Sequence, residues 1–76
     1  MIPQTGEIWQ HHKTRGKYEI IGIGQMQLKI EALDMKECAI YKALSDGKLW
    51  VRPLDDFTEY IENETGENVL RFSKIR

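Results

Sequence analysis

The sequence predicts a small all-β barrel or roll of five to six short strands, and three observations carry that reading. The strongest hydropathy period is two, the signature of strands. Gly, Pro and Asp-Gly cut the chain into runs of strand length. Between them no apolar stripe persists long enough to support an isolated helix. At 76 residues there is room for one core, so the whole of 1–76 is read as a single domain.

Glu7-Ile8-Trp9-Gln10-His11-His12 reads as the first strand, with Thr14-Arg15-Gly16-Lys17 as the turn after it. Tyr18 to Leu28 is a long β-rich run with Gly22 and Gly24 inside it. Glycines in a strand interior mark a bulge, a bend or a close approach, and a bent strand is how a small sheet curls. Residues 29–37 do not place their apolar side chains on one helical face and read as a loop.

Cys38–Leu44 and Leu49–Arg52 flank Ser45-Asp46-Gly47-Lys48, and Asp-Gly between apolar runs is a hairpin signal. With a two-residue turn at Asp46-Gly47, Leu44 faces Leu49, Ala43 faces Trp50, Lys42 faces Val51 and Tyr41 faces Arg52. Pro53 cannot donate to a ladder and ends the strand. Leu54-Asp55-Asp56-Phe57 reads as one 3₁₀ turn. Thr58–Glu62 and Val69–Ser73 form a last candidate hairpin around residues 63–67.

Composition narrows the function classes. Hydrophobic residues are 41% and charged residues 30%, a globular mix that excludes collagen-like and disordered chains. The net charge of −1 provides no whole-molecule field for nucleic acid or acidic membrane. Charge is nonetheless segregated: residues 1–29 carry net +2, residues 30–67 net −6 and residues 68–76 net +3. If the first and last strands are neighbours, a basic patch forms opposite an acidic flank; the alternative is a mixed, solvated surface. No apolar run reaches membrane-spanning length. The polar opening after Met1-Ile2-Pro3-Gln4 and the single cysteine lead us to expect a cytoplasmic protein.

Few residue groups suggest chemistry. His11 and His12, adjacent on a strand, point to opposite faces and do not form a metal pair, so no metal site is expected. Cys38 has no neighbour that would lower its pKa and reads as a buried small hydrophobe. Gly22-Ile23-Gly24 lies mid-strand with no following helix, unlike a phosphate loop. Asp55-Asp56 reads as the cap of a helical turn. No cofactor is indicated.

The hairpin is more informative. One face carries Ala39, Tyr41, Ala43, Trp50 and Arg52, with Arg52 placed to lie across Tyr41 as a cation–π pair. The other carries Ile40, Leu44, Leu49 and Val51, with Lys42 its one charge, and reads as core. An aromatic and arginine face suits extended peptides or unstacked bases. The competing reading packs Trp50 and Tyr41 beneath the Phe57 turn, because a small chain needs its large aromatics inside.

These segments resemble the family of bacterial domains of unknown function numbered 1653. The likeness rests on Ile40-Tyr41-Lys42-Ala43-Leu44, on Gly47-Lys48-Leu49-Trp50-Val51-Arg52-Pro53-Leu54 and on Phe57. Trp9-Gln10-His11-His12-Lys13, Tyr18-Glu19-Ile20-Ile21-Gly22 and Arg71-Phe72 extend it over residues 6 to 75. His12 stands where the family usually has an aromatic ring, and Leu70 where it commonly has proline. The resemblance implies an SH3-like barrel and no established activity. It also directs attention to His11, Tyr41, Trp50, Arg52 and Arg71, which match positions where the family keeps polar or aromatic residues. The leading functional expectation is a non-catalytic binding module using that face for a peptide, nucleotide or single-stranded nucleic acid. The alternative is an interaction or assembly subunit with no small ligand. A hydrolase using His11 as acid and base ranks third.

Overall fold

In the computed structural model, which describes residues 2–76, the period-two segments become strands β1 (Ile8–His11), β2 (Lys17–Gln25), β3 (Glu37–Ala43) and β4 (Leu49–Pro53). One helical turn, α1 (Leu54–Phe57), leads to a two-stranded hairpin of β5 (Tyr60–Glu62) and β6 (Asn68–Leu70). The chain then returns as β7 (Phe72–Lys74) beside β1, giving an antiparallel sheet of order β4-β3-β2-β1-β7. The first and last strands are therefore neighbours.

The glycines of β2 shape this sheet. The register with β3 slips between Ile20 and Gly22, a bulge that increases local twist. At Gly24 an added Cβ would lie 3.0 Å from Ile40 Cδ1, so a side chain there would require the Ile40 methyl to shift. The resulting curl is strong. Arg52 on β4 reaches to 5.7 Å from the ring of Phe72 on β7, although those strands are the two edges of the sheet. No ladder joins the edges among the described residues, so the fold is a mostly β, open, curled sheet and not a closed barrel.

Three local expectations are corrected. The β3–β4 loop has four residues: Ala43 N–H donates to Lys48 C=O, and Gly47 N–H donates back to Ala43 C=O. Only Gly47 takes a left-handed φ, +73°, so the turn at Asp46-Gly47 is not the two-residue type that needs positive φ twice. Tyr41 therefore pairs with Trp50 and Ala39 with Arg52, two residues from the expected register. A two-residue slip preserves which side chains share a face. Second, the turn after Pro53 is α-helical rather than 3₁₀, with Thr58 N–H 3.0 Å from Leu54 C=O and the Thr58 hydroxyl 2.9 Å from it. Third, the expected 69–73 strand divides at Arg71. Its N–H donates to Glu59 C=O while its C=O accepts from His12 N–H, so the chain changes partner there.

The core lies on the concave face. Trp9, Ile20, Ala39, Tyr41 and Phe72 point inward, and Phe57 of α1 closes over them, stacked on Phe72 at 4.1 Å. Trp9 and Tyr41 meet Phe57 edge-on at 5.5 and 5.2 Å. Cys38 is buried, as its small apolar character suggests. The expectation that the aliphatic face of the hairpin is core is overturned. Leu49 and Val51 stand outward, 59% and 58% exposed, while Tyr41 on the opposite face is 3% exposed. Aromatic volume explains the inversion: an aromatic side chain removes roughly 150–250 Å² from water, so a chain with few large residues turns those inward first.

Candidate functional site

Two strand pairs build one rim of the concave face. On the β1–β7 side, His11 lies opposite Phe72, and the imidazole meets the ring edge-on at 4.8 Å. On the β3–β4 side, Tyr41 lies opposite Trp50 and Ala39 opposite Arg52. The curl brings the two sides together. Arg52 Nε donates to the Tyr41 hydroxyl at 3.3 Å while its guanidinium sits 5.7 Å from the Phe72 ring. The expected stacking of Arg52 on Tyr41 is thus replaced by a hydrogen bond to Tyr41 and a cation–π contact with Phe72. The corrected register explains this, because small Ala39 opposite Arg52 leaves the guanidinium free to reach across the rim.

Trp50 takes a different position. It is 45% exposed beside buried Tyr41, with Lys48 Nζ 5.3 Å from its ring centroid. Of the two sequence readings, Tyr41 follows the core one and Trp50 the exposed one. Tyr18 completes the aromatic floor, 5.2 Å from Tyr41 and 5.9 Å from Phe72.

The rim holds more donors than acceptors. Among the described residues no carboxylate pairs with Arg52. Arg71 bridges to Glu59 through one terminal nitrogen, yet its Nε is buried with no hydrogen-bond partner. His11 Nδ1 accepts the N–H groups of Lys13 and Thr14 at 3.1 and 3.3 Å, which leaves the imidazole proton on Nε2. Desolvation, and then the positive charges of Arg52, Arg71, His12 and Lys13, hold the His11 pKa below its ordinary value. Both effects favour the neutral imidazole, which donates from Nε2. Surplus hydrogen-bond donors and uncompensated positive charge suit an anionic ligand group. Elsewhere the basic strands are partly neutralised, as where Lys74 meets Glu7 at 3.1 Å.

This rim is an open surface. One cavity of about 360 Å³ is lined by Ile2, Lys36, Glu37, Leu54, Asp55 and Thr58. A second, of about 260 Å³, is lined by Trp9, Leu70, Phe72 and Lys74. His11 lines neither, and its Nδ1 accepts from two backbone amides.

The family described as protein of unknown function (DUF1653) matches residues 7–74. The chain belongs to that family. No curated protein and no solved structure matches it. The segments that carry DUF1653 resemblance fall on β1, β2, the β3–β4 hairpin, α1 and β7, the same elements that form the core and the rim. Sequence reasoning missed Tyr18 and Phe72 as the rim's floor and Glu59 as the partner of Arg71. The Arg71-Phe72 pair of the DUF1653 pattern was the available signal for Phe72. Glu59 has none, because its pairing depends on where the chain changes sheets.

Proposed function

We propose that this DUF1653 chain is a non-catalytic binding module whose concave rim takes an anionic group, with a nucleotide or single-stranded nucleic acid as the ligand class. The carrying observation is Arg52, a half-buried guanidinium held by a tyrosine hydroxyl and an aromatic ring, with no carboxylate paired to it among the described residues. A phosphate would sit against Arg52, with His11 Nε2–H as a flanking donor and Arg71, bridged to Glu59, adding positive charge behind it. The exposed indole of Trp50 supplies a platform on which a base stacks, a contact worth about 1–3 kcal/mol per base. An acidic peptide offers carboxylates but no comparable flat ring for Trp50, which ranks it second. The reading also takes the open, curled sheet as an SH3-like roll working in the bacterial cytoplasm, supported by the family resemblance and the lone cysteine.

The test is an NMR titration of backbone, Arg Nε and Trp indole resonances with nucleoside triphosphates, short oligonucleotides and acidic peptides at two salt concentrations. The expected result is movement of Trp50, Arg52 and His11 together with an affinity that falls as salt rises. Peptide-induced shifts without nucleotide shifts would replace the ligand class. No shift at this rim with any pool would overturn the reading.

A further inference from the structure

The two edges of the sheet are protected unequally. β7 is three residues long and carries Lys74, two ordinary devices against unwanted strand pairing. β4 is five residues long, and Leu49, Trp50 and Val51 are all exposed. Its convex side continues into Ile40 and Leu44, with Lys42 the single charge, and Lys42 is turned toward Glu19 at 3.9 Å.

Backbone polarity fixes which groups are free. Ala43 donates to Lys48 across the hairpin. Alternation along an antiparallel ladder then directs Trp50 and Arg52 toward β3, and leaves Leu49 and Val51 N–H and C=O facing outward, while Pro53 C=O opens the helical bonding of α1. Pro53 stands where its missing N–H costs no ladder bond.

We propose that β4 pairs antiparallel with β4 of a second copy, about a two-fold axis at Val51. Val51 N–H then meets Val51 C=O of the other copy in both directions, with each Leu49 brought opposite Pro53 of the second copy. Charge selects this register. Centring the axis on Trp50 would oppose Lys48 to Arg52. Centring it on Val51 instead carries Lys48 toward the second copy's α1, whose first turn holds Asp56 and Asp55, the latter already bridged to Lys36. The convex aliphatic stripes join at Val51 and Leu49, covering the apolar surface that a lone copy leaves exposed. The two five-stranded sheets become one, with the two Arg52 rims on the same concave side. This inference is independent of the anion-binding reading.

Sedimentation of the wild-type protein from micromolar to millimolar concentration tests it, together with Val51→Lys. The expected result is a rise toward twice the 8.9 kDa protomer mass, with the lysine variant weakening association by about tenfold or more, since two like charges would then face each other. In a mixture of labelled and unlabelled chains, an intermolecular Hα–Hα contact between Trp50 and Arg52 identifies the register, because those residues form the close non-hydrogen-bonded pair. Should the lysine variant misfold, Leu49→Glu gives the same reading at the neighbouring position. A wild-type chain that stays monomeric, a dimer indifferent to both variants, or intermolecular contacts elsewhere would overturn the proposal. Loss of ligand shifts in Arg52 variants leaves it standing.

Discussion

The concave and convex faces of the β3–β4 hairpin draw alternate residues from the same two strands, yet they do opposite work. The concave face holds Ala39, Tyr41 and Ala43 in the core and delivers Arg52 and Trp50 to the rim. The convex face holds Ile40, Leu44, Leu49 and Val51, the more uniformly apolar set, and three of these four are exposed. The contrast shows that in a chain this small side-chain volume outranks hydropathy in choosing the inside. Trp9 against Phe57, Tyr18 against Phe72 and Tyr41 against both fill the core around the stacked Phe57 and Phe72 rings.

The largest expected effect breaks or upholds that contrast directly. Phe72→Ala removes a ring that touches Phe57, Tyr41, Tyr18 and His11, and should cost about 3–5 kcal/mol, much of the stability of a small domain. Leu49→Ser on the convex face should change stability by less than about 0.5 kcal/mol. Urea melts of the two variants suffice, and equal losses would contradict the assignment of faces.

Next in size is the rim. Arg52→Gln keeps a donor and most of the stem but removes the charge, and should weaken anion binding by about tenfold or more. Its melt should resemble wild type, so a titration separates lost affinity from lost fold. Tyr41→Phe deletes the hydroxyl that accepts from Arg52 Nε and should cost about 1 kcal/mol in the same melts. A neutral result would mean that Tyr41 acts through its ring alone.

The smallest effect concerns acid. His11 binds a proton less readily in the folded chain than in the unfolded one, because it is desolvated and faces Arg52 and Arg71. The unfolded chain therefore takes up more protons as pH falls below the ordinary value of 6.5, and stability declines through that window toward the lower folded pKa. Stability measured just above and just below pH 6.5 should show the decline in wild type and a flatter dependence in His11→Gln. The lowered carboxylates Glu7 and Asp55 act only at more acidic pH, and so do not obscure it.

Much of this architecture was legible in the residues. Period-two segments mark β1 to β4 and Gly22 marks the bulge, whereas the β1–β7 pairing entered the sequence reading only as a condition for a basic patch. The faces of the hairpin were legible as sets, since alternation alone defines which residues share a side. Which set faces inward was not, because that choice depends on Phe57 and Phe72, supplied by distant parts of the chain. The turn length was hidden for a related reason: Asp-Gly suits both a two-residue and a four-residue loop, and tertiary register decides between them. His11, Tyr41, Arg52 and Arg71 could be singled out by type, but their meeting at one rim follows from the curl that joins opposite edges of the sheet.

The central claim is that the rim at Arg52 is a binding surface, and one titration addresses it most directly. The Arg52 Nε–H and Trp50 indole resonances would be followed in wild type and in Arg52→Gln as a short single-stranded oligonucleotide is added at low and then moderate salt. The account predicts that both resonances move in wild type, that salt reverses the movement, and that the Trp50 response largely vanishes in the variant. Resonances that stay fixed in wild type, or a Trp50 response unchanged by loss of the Arg52 charge, would contradict it.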